Sequence, residues 1–267
     1  MSVGSSKDTN LSTISEQTVK PELLKLRGVS KNFGAVQALT DVDFDLKAGE
    51  VVALVGDNGA GKSTLVKILS GSSSPSSGDI WVDGEAVNLH SPADATEAGI
   101  ATVYQDLALC DNLDVIGNLF LGRNIERRLG PFRILDRIAM EKRTWEVLDS
   151  LGVKTLRDVR APVATLSGGQ RQSIAVARSV MWHSKIVLLD EPTAALGVEQ
   201  TAQVLALVKS LREANLGVVL VSHNLSDVFA VSDRIAVLRL GRSVASFNTN
   251  EVTTDEVVSA ITRGVDA

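Results

Sequence analysis

The run VVALV (51–55), the glycine-rich turn GDNGAGKST after it (56–64) and the helically spaced TLVKILSG beyond constrain this chain more than any other stretch. A β-branched apolar run of five residues reads as a strand, and the 3–4-residue spacing of apolar positions after the turn reads as a helix. The turn residues Gly56, Asp57, Asn58, Gly59, Ala60, Gly61, Lys62, Ser63 and Thr64 meet the pattern GxxxxGK[ST] in the strand, loop, helix context that gives it physical content. Glycines let backbone N–H groups turn inward around a polyphosphate, and the helix starting near Lys62 adds the positive end of its dipole. Lys62 would reach the outer phosphates as a point charge, and the hydroxyl of Ser63 would ligate Mg²⁺. The plain alternative is a glycine-rich connection between a buried strand and its crossover helix.

Three further apolar runs, IATVY (100–104), IVLLD (186–190) and GVVLVSH (217–223), do not alternate, as expected of strands buried on both faces. Helical patterns lie between them. In MEKRTWEVLDSLG, Trp145, Leu148 and Leu151 recur every three to four residues, and QTAQVLALVKSLREANLG repeats the pattern with Gly217 placed to end the helix. This alternation predicts an α/β fold with a mostly parallel sheet, whose ligands collect beyond the carboxyl ends of the strands. Short β-type segments between 23 and 46, separated by Gly34 and Thr40, together with GDIWVDGE, predict a small antiparallel β-lobe beside the phosphate loop. Residues 1–20, rich in Ser and Thr and free of aromatics, read as a disordered extension, with the folded domain over 21–267. The phosphate loop occurs once.

A net charge of -5 and a pI near 5.3 give no electrostatic footprint for nucleic acid. The single cysteine, Cys110, cannot form an intrachain disulfide and suits a reducing compartment. No apolar stretch approaches the length of a membrane span, and the first twenty residues lack a signal-peptide core.

Each buried run ends in a polar residue of use to phosphoryl chemistry. Asp190 would hold Mg²⁺, and Glu191 after it could orient and deprotonate an attacking water; the competing reading is a solvated turn. Gln105 could ligate Mg²⁺ and contact that water, or be a polar loop residue. His223 could donate to a γ-phosphate oxygen, or simply cap its strand. The pentamer Leu166, Ser167, Gly168, Gly169, Gln170 changes the weighing. Ser167 is a good N-cap for the helical RQSIAVARSVM, so the segment offers a second anion site, although a capping box alone also explains Gln170 three residues on. By chance this pentamer would occur in roughly one chain in a thousand or fewer.

With these motifs in this order, the chain resembles the ATP-binding subunits of ABC transporters over roughly 22–262. The resemblance implies a P-loop NTPase fold of ABC type, with an inserted helical lobe over about 107–163, and it implies ATP and Mg²⁺ as cofactors. Gly56 to Thr64 correspond to the Walker A loop, Gln105 to the Q-loop, Leu166 to Gln170 to the signature, Asp190 to the end of Walker B, Glu191 to the catalytic carboxylate and His223 to the switch histidine. Lys62, Gln105, Glu191 and His223 are then the catalytic set, and Ser63, Gln105 and Asp190 the metal ligands. Phe33 falls where the family places an aromatic that stacks on adenine; a core phenylalanine is the competing reading.

The resemblance further implies a head-to-tail homodimer, or a pair with a homologous ATPase, in which each ATP lies between one subunit's Walker A loop and the other's signature. Implied partners are integral membrane permease subunits, docking at 107–122, and indirectly an extracytoplasmic sugar-binding protein, with no nucleic acid. The implied place is the cytoplasmic face of the inner membrane, held peripherally. One departure stands out: Gly197 occupies the position where the family usually carries aspartate. AALGVEQ, GDNGAGKST and YQDLAL are similar to the ATPases of ribose, xylose and fructose importers, and the single core to the fructose type. An importer ATPase for an amino acid or a metal, or a soluble ABC ATPase outside transport, are the alternatives.

Overall fold

The computed structural model of the protein describes residues 21–264; the extension read over 1–20 lies outside the described residues, as do 265–267. The chain opens with two long strands, β1 (Glu22–Phe33) and β2 (Val36–Lys47), then β3 (Val51–Val55) and α1 (Lys62–Leu69). Next come β4 (Ser77–Val82), β5 (Glu85–Ala86), α2 (Pro92–Glu97), β6 (Ile100–Val103) and α3 (Val115–Leu119). The middle of the chain holds β7 (Glu126–Leu129), β8 (Phe132–Leu135), α4 (Arg137–Ser150) and α5 (Gly168–Val180). The last third holds β9 (Ile186–Asp190), α6 (Val198–Glu213), β10 (Gly217–Val221), α7 (Leu225–Val231), β11 (Arg234–Arg239), β12 (Arg242–Asn248) and α8 (Thr254–Arg263).

Six strands form the central sheet in the order β12-β11-β3-β10-β9-β6, all parallel except β12 at one edge. Every residue of β3 and β10 is buried, which is why these strands read as unbroken apolar runs. Along β3 the side chains divide the core. Val52 and Leu54 join α1 and the leucines of the β-lobe, whereas Ala53 and Val55 meet Val228 of α7 and Val257 of α8. Val51, Val187, Leu189 and Leu220 face Leu148 of α4, Ile174 of α5 and Leu211 of α6. Burying an aliphatic side chain of this size contributes about 1.5–3 kcal/mol, so both faces of the sheet carry the stability.

The antiparallel lobe is a four-stranded sheet in the order β2-β1-β4-β5. Gly34 makes the predicted turn, at φ 60, but Thr40 does not separate strands: it lies inside β2, whose register against β1 shifts several times instead. Arg234 at the start of β11 ties the lobe to the central sheet. Its guanidinium donates to Asp45 Oδ2 at 2.8 Å and to Glu50 Oε1 at 2.9 Å, and these carboxylates hold it above the ordinary arginine pKa against the opposing effect of burial.

Gly217 does not end α6, contrary to the sequence expectation. The helix stops at Glu213, and Asn215 takes the left-handed conformation at φ 63 that closes its end. Gly217 instead opens β10, where a Cβ would sit 2.8 Å from Leu46 Cδ2, so the absent side chain serves close packing on the β-lobe. The stretch 107–163 contains α3 and α4, and also the β7–β8 hairpin, which the sequence reading did not predict.

Candidate functional site

The register of the central sheet brings the predicted residues to one edge. Val221 of β10 pairs with Leu54 of β3 and with Asp190 of β9, and Val103 of β6 pairs with Leu189. Continued beyond the pairing, Gly56, His223, Glu191 and Gln105 all leave the sheet at its carboxyl end, where an open α/β sheet binds ligands. Gln105 is exposed there.

The loop from Gly56 to Gly61 can be built only with glycine at its two ends. A Cβ on Gly56, at φ 153, would lie 2.2 Å from the carbonyl oxygen of Leu238, and one on Gly61, at φ 107, would lie 2.6 Å from Leu39 Cδ2. Gly61 is also the N-cap of α1 and offers no side-chain cap, so the first amides of that helix point toward a cavity of about 170 Å³ lined by Asn58 to Thr64 and Ala38. From behind, Gly241 in the β11–β12 turn donates its N–H to the Ala60 carbonyl and accepts from the N–H of Thr40. Lys62 folds back over the loop, its Nζ donating to the carbonyls of Gly56 at 2.6 Å and Asp57 at 3.0 Å. The ammonium therefore already sits at the mouth of the cradle.

Asp190 is half-buried, and burial, reinforced by the neighbouring Glu191 carboxylate, raises its carboxyl above the usual range; Lys62 and Lys67 pull the other way. A site that raises a carboxyl in this manner favours a cation beside it. The candidate donors at this edge of the sheet, the Ser63 hydroxyl, the Asp190 carboxylate and the Gln105 amide, are hard oxygens. No group of three or more His, Cys, Asp or Glu able to hold a metal occurs among the described residues. Such a set suits Mg²⁺, which takes few protein ligands beside phosphate and water, and does not suit a zinc-type cage.

Glu191 adopts φ 50, uncommon outside glycine, and its N–H donates to the Val221 carbonyl at 3.0 Å. The turn throws its side chain toward β10. There Glu191 Oε2 accepts from His223 Nδ1 at 2.8 Å. The carboxylate is 18% exposed and the imidazole 73%, so the pair presents a sheltered carboxylate held by an accessible histidine. Thr193, two residues on, donates to the buried Asp227 of α7 at 2.7 Å and fixes the loop after the carboxylates.

The capping-box reading of the pentamer holds. Ser167 Oγ accepts from the Gln170 N–H at 3.3 Å and Gln170 Oε1 accepts from the Ser167 N–H at 2.9 Å, a complete capping box at the start of α5, while Gln170 Nε2 donates to the Thr155 carbonyl. Gly168 and Gly169 are small because α6 and the loop before it lie against them: a Cβ would come within 2.8 Å of Leu196 Cδ2 and 2.9 Å of Gln203 Oε1 respectively. Leu166 is partly buried, whereas Ser167 is exposed at the positive end of the helix. Phe33 is 52% exposed at the end of β1, with Lys31 Nζ 5.0 Å from its ring centroid, which removes the core reading. Gly197 caps α6 without a side-chain bond and with open space around it.

The sequence reading missed Arg178. On α5 it donates to the carbonyls of Leu107 at 3.0 Å and Ala108 at 2.8 Å, and burial without a facing carboxylate lowers its pKa. One helix thus carries Ser167 at its start and grips the segment after Gln105 near its end. An arginine amid the small apolar residues of SIAVARSV was the available signal. Beside it opens a cleft of about 270 Å³ lined by Tyr104, Leu107, Arg123 and Trp182 among others.

Residues 39–194 match the family described as ABC transporter. Over 243 residues, 90% of this chain, the sequence is 46% identical to the fructose import ATP-binding protein FrcA of Rhizobium meliloti, 94% of which is covered. The chain belongs to the ABC transporter ATPase family. As a member it is an ATP-binding and ATP-hydrolysing domain with the fold of that family. It is also 43% identical over 90% of its length to the xylose/arabinose import ATP-binding protein XylG of Sulfolobus acidocaldarius, 94% of which is covered. With a ribose import ATP-binding protein RbsA of Rubrobacter xylanophilus it shares 44% identity over 83% of this chain, only 43% of that longer protein. Among solved structures, a nucleotide-free ATP-binding cassette superposes with a TM-score of 0.77 at 23% identity, covering 89% of this chain and 95% of that one. A dimeric post-hydrolysis cassette bound to ADP and Pi gives 0.69 at 27% identity, covering 85% and 99%.

Proposed function

We propose that the chain drives a monosaccharide importer as one of a pair of ATPase subunits on the cytoplasmic face of the inner membrane, with Mg²⁺ as cofactor. The observation that carries the sugar is the 46% identity, over nearly the whole of both chains, to a fructose import subunit, with xylose/arabinose and ribose import subunits beside it. No helix among the described residues is long and apolar enough to cross a membrane; passage of the solute is assigned to a separate permease because the similar proteins are import ATP-binding subunits. The cleft beside Trp182, which meets the docking stretch 107–122 at Leu107 and Ala108, the two residues gripped by Arg178, is the place for a permease helix.

The site residues divide the work. The loop from Gly56 to Thr64 cradles the phosphates, Phe33 stacks on the adenine, and Lys62 exchanges the carbonyls of Gly56 and Asp57 for phosphate oxygens. Ser63, Asp190 and Gln105 would hold Mg²⁺, which would supply positive charge against the phosphates when bound. Glu191 takes a proton from water as its oxygen bonds to the γ-phosphorus; the bond from that phosphorus to the bridging oxygen breaks and ADP leaves with the electron pair. His223 holds Glu191 in place and reaches the γ-phosphate from its exposed side. The signature, Leu166 to Gln170, offers its exposed helix end to the nucleotide held by the second copy; a related cassette is dimeric with ADP and Pi bound.

The test is co-purification from membranes followed by uptake in vesicles carrying the co-purified permease. ATP-dependent accumulation of a monosaccharide is the expected result. Accumulation of an amino acid or a metal ion instead, or recovery with ribosomes and not membranes, would overturn the sugar reading.

A further inference from the structure

The β7–β8 hairpin stands apart from both larger sheets: its two strands pair only with each other, and nearly all their residues are exposed. A two-stranded ribbon of this kind has little stability of its own. Yet it places large apolar groups in solvent. Leu129 and Phe132 face each other across the Gly130-Pro131 turn at the apex and are 62% and 70% exposed. Behind them comes a cationic layer, Arg127, Arg128 and Arg133, against the one Glu126. Arg128 and Arg133 sit directly opposite each other, a like-charge pair that disfavours the free hairpin, and Glu126 reaches only Arg133, at 3.7 Å. Arg127 and Arg128 form no ion pair among the described residues.

An apolar tip followed within about 7 Å by a collar of arginines matches the order in which a bilayer presents hydrocarbon and phosphate. The chain as a whole carries a net charge of -5, so an anionic surface repels the rest of the molecule and attracts this hairpin. We propose that the β7–β8 hairpin is a membrane-surface contact that seats Leu129 and Phe132 among the headgroups of anionic phospholipids, with Arg127, Arg128 and Arg133 on their phosphates. The contact orients the ATPase against the bilayer independently of any permease.

The test is co-sedimentation of the full chain with phosphatidylcholine vesicles with and without phosphatidylglycerol. Binding is expected only to the anionic vesicles and to weaken with salt. Each arginine near such a surface is worth about fivefold, so the triple variant R127Q/R128Q/R133Q lowers binding about 100-fold. The variant L129S/F132S also lowers it, with melting temperature and ATP turnover unchanged in both, because the hairpin lies outside the core and the nucleotide site. E191Q binds vesicles as the parent does, which separates this contact from the reading of the ATP site. Absence of vesicle binding, equal binding by the variants, or undiminished binding to neutral vesicles would overturn the proposal. So would variants that lose only a co-purifying membrane protein, since that assigns the hairpin a protein partner.

Discussion

His223 Nδ1 donates to Glu191 Oε2 at 2.8 Å across the ends of neighbouring parallel strands, and this contact joins two side chains at the carboxyl edge of the central sheet. A positioned base contributes roughly 10²–10⁴-fold to proton transfer, whereas a residue that only orients it contributes less. Glu191→Gln is therefore expected to lower turnover by at least about 100-fold with ATP affinity intact. His223→Ala should lower turnover less, by roughly 10–100-fold. Single-turnover hydrolysis alongside equilibrium nucleotide binding checks both; unchanged turnover in the Glu191 variant removes it from the base role.

Asp190 supplies a pH dependence. Its carboxyl is raised in the fold, so the native state binds this proton more tightly than the unfolded chain does. Stability associated with the group is present below the unfolded carboxyl range and is lost as pH rises through the raised value. At neutral pH the buried charge is thus a cost in the nucleotide-free protein. Asp190→Asn is expected to melt higher than the parent near neutrality, with the gap closing as pH falls toward the carboxylate range, while losing the extra stabilisation that MgATP gives the parent. Thermal scans across pH, with and without MgATP, read both effects.

Gly197 leaves α6 without a side-chain cap, and no atom lies within 4 Å of a Cβ placed there. Aspartate would accept from the free amides of the first turn and sit favourably at the positive helix end. Gly197→Asp is expected to stabilise by about 0.5–1 kcal/mol, a rise of roughly 2 °C in melting temperature. A fall would show that this backbone cannot carry the cap.

Arg234, the first residue of β11, holds two carboxylates, Asp45 of β2 in the β-lobe and Glu50 just before β3. Removing the guanidinium strands both charges in a partly buried place. Arg234→Met is expected to cost about 2–3 kcal/mol, discounted from the fully buried case for its residual exposure, and to lower the denaturation midpoint accordingly. Double substitution with Asp45→Asn should cost less than the sum of the two singles.

Much of this was legible because burial on both faces leaves a mark in one dimension. VVALV, IVLLD and GVVLVSH contain β3, β9 and β10, and Asp190 and His223, which close the last two runs, mark the carboxyl edge of the sheet. Spacing alone cannot show that Glu191 turns left-handed or that it meets His223, since both depend on the register of β9 against β10. The β7–β8 hairpin stayed hidden because its strands are four residues long and face water on both sides, so no apolar alternation survives. Gly217 misled because a glycine after a helical pattern looks like a helix stop, whereas the need for it arises from Leu46 and Leu23 of the distant β-lobe.

The central claim, a nucleotide site completed by a second copy's Ser167, is tested most directly by the solution mass of Glu191→Gln with MgATP, measured by light scattering. A mass of two chains with ATP, reverting to one chain with ADP and abolished by adding Ser167→Arg to the same protein, is the result expected. A single-chain mass at saturating ATP, or a dimer indifferent to the Ser167 substitution, would contradict it.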